Sequence, residues 1–117
     1  YPIEIELHLF RIVQQACHNA IKHSQASKIV LSGVLTPDRV ELVVEDDGIG
    51  MDHQGLLDLN WLLANKHFGM AAMIERAHFI DAGFEINTQS GQGTRVRVGW
   101  RPLPTKTTPV QESLMAF

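Results

Sequence analysis

A single cysteine, Cys17, stands among the 117 residues, so the chain cannot close an internal disulfide or build a zinc cluster on paired thiolates. Positive charge is scarce as well. Ten Lys and Arg face thirteen Asp and Glu, a formal net charge of −3, and without a basic stripe to neutralise phosphates nucleic acid is not an expected partner. The longest apolar stretch, Leu56 to Ala64, is interrupted by Asp58 and Asn60. It falls far short of the roughly 20 residues that span a bilayer, so no membrane contact is expected of this domain. Neither an initiator methionine nor a charged-then-apolar signal pattern opens the chain at Tyr1, which leads us to expect a piece of a longer protein. What is present is 44% hydrophobic against 20% charged residues, enough to bury one core of ordinary domain size and too much for a disordered chain.

From Glu4 to Ser24 the residues Leu9, Val13, Ala16, Cys17, Ala20 and Ile21 recur at helical spacing, with Phe10 and Ile12 widening the stripe. Lys28 to Leu35 is rich in apolar, β-branched residues, Thr36 to Arg39 has turn chemistry, and Val40, Leu42 and Val44 alternate up to Asp46, so a hairpin is predicted. The run Asp46-Asp47-Gly48-Ile49-Gly50 then breaks the strand. Met51 to Phe68 has no clean period and is expected to be a mobile connection holding one short helix. Gly69 is predicted to open a second helix, with Met70, Met73, Ile74, Ala77 and Ile80 inward and Gly83 ending it. Phe84 to Gln89 and Thr94 to Trp100 form a second predicted hairpin around Ser90 to Gly93, with Val96, Val98 and Trp100 on one face. Two hairpins, each preceded by a helix, predict an α+β fold: a two-layer α/β sandwich whose mainly antiparallel sheet has helices on one face. Residues 1–101 form the expected domain, and the proline-rich stretch 102–117 is expected to be a disordered tail.

Gln15, Asn19, Lys22 and His23 fall along one stripe of the first helix, at the border of its apolar face. Taken alone, such a stripe is a solvated flank. Of the six histidines, His18 and His23 are five apart and do not share a face, which argues against a metal pair, and His8, His53 and His78 are read as solvated surface. Met70 and Met73 read as core on spacing alone, and Trp61 is either a lid side chain or a packing residue.

The order changes the reading of that stripe. Behind it come Asp46-x-Gly48-x-Gly50, a glycine at Gly69 opening a helix, and Gly91-x-Gly93-Thr94 in a hairpin. In this the sequence resembles the ATP-binding catalytic domain of sensor histidine kinases, in the superfamily shared with gyrase, a heat-shock chaperone and MutL. The stretches Arg11 to Ala16, Asn19 to His23 and Gly69 to Arg76 are most similar to the nitrate-sensor and DesK-type subfamily, and the resemblance covers Leu7 to Trp100. It implies a Bergerat-type fold, ATP and Mg²⁺ as cofactors, and transfer of the γ-phosphoryl group to a histidine on a separate helical dimerisation domain of the same parent. A response regulator would act downstream. The resemblance further implies a cytoplasmic domain, monomeric when isolated, whose parent can be membrane-anchored.

Residue by residue, the resemblance makes Asp46 the acceptor for the adenine amino group, a role suited to an ionised carboxylate, which cannot donate. Gly48 and Gly50 would let the ring approach the backbone. Asn19 would offer its amide oxygen to Mg²⁺, Lys22 and His23 would face phosphate, and Gly69 and Met70 would turn helix-terminal amides toward it. Thr94 would hold the adenine side. Three positions depart from the family pattern. Gln15 stands where the subfamily usually has glutamate, and an amide cannot take a proton from water, so hydrolysis is disfavoured while phosphoryl transfer remains compatible. His67 and Ala72 replace glycines, and their side chains are expected to crowd the phosphates, the alternative for His67 being that its protonated ring pairs with them. The alternative reading is a catalytically degenerate nucleotide-binding or protein-interaction module of the same fold.

Overall fold

The computed structural model describes residues 1–23, 25–51 and 54–102; His53 and the tail from residue 103 onward lie outside them. In chain order the elements are α1 (Ile3–His23), β1 (Ile29–Thr36), β2 (Arg39–Asp46), β3 (Gln54–Leu56), α2 (Leu59–Ala64), α3 (Phe68–Phe79), β4 (Gly83–Gln89) and β5 (Gly93–Trp100). The strands form one antiparallel sheet in the order β1-β2-β5-β4-β3. The helices cover one face, as the hydrophobic alternation predicts.

Strand parity decides which face that is. Val40 and Val44 on β2, Val96, Val98 and Trp100 on β5 and Ile86 on β4 are buried together, against Leu9, Ile12 and Ala16 of α1 and Ala71, Met73 and Ala77 of α3. Each large side chain so buried contributes about 1.5–3 kcal/mol. The opposite face carries a ladder of ion pairs: Glu41 accepts from both Arg39 and Arg97, and Glu45 lies 3.6 Å from Arg95. No helix among the described residues is long and apolar enough to cross a membrane.

The structure corrects several expectations. Phe10 and Ile21, assigned to the inward stripe, are 59% and 72% exposed, whereas Ile12 is fully buried; the buried arc of α1 is narrower than its apolar composition. The second helix begins at Phe68, one residue before Gly69, and ends at Phe79. Asp81, with φ of 56°, takes the left-handed position expected of a terminating glycine, and Gly83 already belongs to β4. The short edge strand β3 has no sequence signal, being three residues paired only to β4. His8 is half-buried rather than solvated: Nδ1 lies 3.2 Å from Arg76 Nη1 and the ring meets Phe79, joining α1 to α3.

Asp47 fastens the loop after β2 to the start of β1. Its Oδ1 accepts the Ser27 and Lys28 N–H groups at 2.9 and 3.0 Å, and Oδ2 accepts the Ser27 hydroxyl at 2.7 Å. The hydroxyl first, then the Lys28 amide, hold this carboxyl below the ordinary carboxylate range, because both bond the charged form. A lowered folded pKa contributes stability that is complete above the unfolded value and is lost as pH falls through the folded one. Asp47→Asn is therefore expected to lower the melting temperature at neutral pH, with the gap to wild type closing in strong acid. A gap that stays constant across a pH series would refute this role for Asp47.

Candidate functional site

The same parity that fills the core carries each helix-facing series past its last apolar member onto a polar one. On β2 the series Val40, Leu42, Val44 ends at Asp46; on β5 Trp100, Val98, Val96 ends at Thr94; on β4 Phe84, Ile86 ends at Thr88. On α1, Ala16 and Ala20 face this end of the sheet, flanked by Asn19 and His23. Alanines leave space that larger side chains would fill. The result is a cavity of about 410 Å³ between α1, the α3 N-terminus and the ends of β2 and β5, within the size range of small-molecule sites.

Val44 and Val96 floor one end of the cavity, and Asp46, Gly50, Met51 and Thr94 edge it. Asp46 Oδ1 accepts the Gly48 N–H at 2.9 Å, which orients the carboxylate while leaving its other lone pairs free. Two glycines are required by close backbone approach. Gly50 has φ of 67° and a Cβ there would sit 2.1 Å from the Gln89 carbonyl oxygen; Gly93 has φ of 101° and a Cβ would sit 2.0 Å from the Asp46 carbonyl oxygen. The Thr88 hydroxyl, 1% exposed, lies 2.9 Å from the Met51 N, 3.2 Å from the Gly93 O and 3.0 Å from the Thr94 hydroxyl.

The other end is the start of α3. The first ladder bond there runs from Ala71 N to His67 O at 3.0 Å, and the N-cap His67 makes no side-chain cap, so the Phe68, Gly69 and Met70 amides have no acceptor within the helix. All three residues, with Lys66, His67, Asn19 and His23, line the cavity. Unpaired amides at the positive end of a helix dipole favour an anion. Asn19 Oδ1 accepts from Gln15 Nε2 at 2.9 Å, which directs the Asn19 oxygen and leaves it a second lone pair. The His67 ring stacks parallel on Trp61, with centroids 5.4 Å apart and planes 6° from parallel. That contact gives Trp61 a packing role and draws the imidazole into a stack at the cavity wall.

Of the residues expected from sequence, Asn19, His23, Asp46, Gly50, His67, Gly69, Met70 and Thr94 meet in this one cavity, whereas Gln15, Lys22, Gly48 and Ala72 are not in its wall. Gln15 acts on it through Asn19 and lies against Gly69, where a Cβ would come 3.0 Å from its Nε2. Gly48 is buried behind Asp46, and Lys22 is exposed on α1. Sequence reasoning missed Thr88 and Lys66. Thr88 continues the β4 alternation after Ile86 and was findable by parity; Lys66, in a left-handed turn at φ of 64°, carried no signal.

Comparison with known proteins identifies related chains. The family model of the histidine kinase-, DNA gyrase B- and HSP90-like ATPases matches residues 4–105. The signal transduction histidine-protein kinase/phosphatase DegS of Bacillus subtilis is 33% identical over 95 residues, covering 81% of this chain and 24% of DegS. The nitrate/nitrite sensor protein NarX of Escherichia coli is 31% identical over 106 residues, 91% of this chain and 17% of NarX. The chain thus spans a quarter or less of these relatives. In fold, it is similar to the histidine kinase domain of the blue-light activated kinase of Erythrobacter litoralis, with a TM-score of 0.68 at 20% identity over 86% of this chain and 46% of that one. It is also similar to the ATP binding domain of PrrB from Mycobacterium tuberculosis, with a TM-score of 0.58 at 24% identity over 85% of this chain and 69% of that one.

Proposed function

Since the chain belongs to the histidine kinase-, DNA gyrase B- and HSP90-like ATPase family, we propose that it is the ATP-binding catalytic domain of a two-component sensor histidine kinase of the nitrate-sensor type. The observation that supports this most is the joint occupancy of one cavity by an acceptor end, Asp46 and Thr94, and an anion end, Asn19, His23 and the α3 amides. A purine with an amino substituent suits the first, and a phosphate chain the second. In this reading the helix amides and His23 hold the β- and γ-phosphates, and a histidine ring nitrogen from the parent's helical dimerisation domain attacks the γ-phosphorus. The bond from phosphorus to the bridging oxygen breaks, ADP leaves and the ring loses its N–H proton. Lys22 would contribute only through its charge, from outside the cavity wall.

The donor set also fits Mg²⁺. One amide oxygen, Asn19 Oδ1, is the protein's share for an ion that keeps phosphate oxygens and waters as its other ligands, and the ion would supply charge neutralisation at the phosphates. Gln15 has no basic atom to activate water. Its part is to hold Asn19 by donating to it, which suits transfer to a histidine better than hydrolysis. The domain would work in the cytoplasm, where ATP and magnesium are available, and a response regulator would take the phosphoryl group from the acceptor histidine.

Two measurements test the reading. ATP should raise the melting temperature in a magnesium-dependent way, and the domain should phosphorylate a supplied dimerisation domain bearing its acceptor histidine. Stabilisation by ATP without any transfer would favour the degenerate module instead. Asn19→Ala is expected to abolish the magnesium dependence of triphosphate binding while leaving adenosine binding nearly intact; unchanged magnesium dependence in that variant would remove Asn19 from the metal site.

A further inference from the structure

The buried Thr88 hydroxyl has one proton and two lone pairs, and three neighbours within hydrogen-bond distance. Two of those neighbours have fixed roles: the Gly93 carbonyl oxygen can only accept and takes the Thr88 proton at 3.2 Å, and the Met51 amide can only donate and fills one lone pair at 2.9 Å. In that arrangement the third contact, at 3.0 Å to the Thr94 hydroxyl, runs from Thr94 to Thr88. Thr94 lines the cavity beside Asp46, and with its proton turned inward it offers the cavity lone pairs alone.

We infer that Thr88 is a positioning residue for base selectivity: it fixes Thr94 as an acceptor, so that Thr94 and Asp46 together form an all-acceptor edge matched to the two N–H bonds of an exocyclic amino group. A 6-amino purine satisfies that edge. A 6-oxo purine turns a carbonyl oxygen toward it and meets lone pairs with lone pairs, a mismatch that leaves buried polar groups unpaired. Selectivity on this account comes from a residue outside the cavity wall, acting through a proton that never reaches the ligand. Without Thr88, the Thr94 hydroxyl could rotate and donate to a 6-oxo group.

This rests on the cavity taking a purine nucleotide, and the test separates the two ideas. Affinities of ATP and inosine triphosphate would be measured by calorimetric titration for wild type, Thr88→Val, Thr88→Ser, Thr94→Val and the Thr88→Val/Thr94→Val pair. Wild type should prefer ATP; binding of neither triphosphate would overturn the nucleotide reading itself. Thr88→Val should reduce the preference for ATP by about tenfold, the size of one hydrogen bond gained by the wrong base, Thr88→Ser should retain it, and Thr88→Val should change nothing further in the Thr94→Val background. A purely structural Thr88 would weaken both triphosphates equally, and an unchanged ratio in Thr88→Val would overturn the inference. Should Thr88→Val fail to fold, Thr94→Val decides: a lowered preference supports the acceptor role, and an unaltered one ends it.

Discussion

Replacing Asp46 by asparagine is expected to weaken ATP binding by about 1.5–3 kcal/mol, roughly tenfold to more than a hundredfold, the range for a hydrogen bond to a charged group. The exchange is nearly isosteric. An asparagine oxygen can still accept the Gly48 N–H that Asp46 Oδ1 accepts at 2.9 Å, so the loop and the unliganded stability should change little. What changes is the second atom of the group: an acceptor becomes an NH₂ donor, and it would face the amino group of adenine with hydrogens against hydrogens. The loss should therefore fall on adenine nucleotides and be smaller for 6-oxo purines. Calorimetric titration would read this directly. Equal affinities for ATP and GTP in wild type, or no loss in the variant, would take Asp46 out of base recognition.

Asp46 is also where the sequence was most legible. Alternation along Val40, Leu42 and Val44 fixes its face, and the glycines after it announce a loop, so both its orientation and its setting could be read without coordinates. Thr94, one step before Val96, is legible for the same reason. The anion end was less so. Helical spacing put Asn19 and His23 on a common border of α1, but Lys22, which shares that border in sequence, ends up exposed and outside the cavity wall, because a helical wheel cannot say how far along the axis the neighbouring elements reach. The segment from Met51 to Phe68 was legible as lacking a clean period and holding one short helix, which is α2. Its short strand β3 and the Trp61–His67 stack depend on pairing to β4 and on the left-handed turn at Lys66, none of which leaves a periodic trace. The expectation that His67 crowds the phosphates rested on its replacing a glycine. The ring has a partner in Trp61, so the imidazole is anchored at the wall by stacking.

Gly93→Ala should be, with Gly50→Ala, among the most damaging glycine exchanges in the molecule. The Gly93 φ of 101° is one that side chains rarely adopt, and the added Cβ would stand 2.0 Å from the Asp46 carbonyl oxygen and 2.9 Å from its carbon. Both are backbone atoms at the end of β2, so no rotamer change relieves the clash; either β5 withdraws from β2 or the Asp46 loop moves. The backbone conformation alone costs on the order of 1–3 kcal/mol, and the displaced ladder and loop raise the expected loss to roughly 3–5 kcal/mol, a large part of the about 5–15 kcal/mol that stabilises an ordinary domain. Two neighbouring glycines supply the comparison. Gly91 has φ of 80° but open space around a Cβ, so Gly91→Ala should cost only the conformational share; Gly83 has no left-handed φ and a nearest contact of 3.9 Å, so Gly83→Ala should be close to neutral. Urea unfolding of the three variants should rank them in that order. Because the clash falls on the Asp46 backbone, whatever Gly93→Ala protein remains folded should also bind ATP more weakly than Gly91→Ala does. A Gly93→Ala domain as stable as Gly91→Ala would show that the Asp46 loop can yield at little cost, and a rigid acceptor edge could not then be the source of base selectivity.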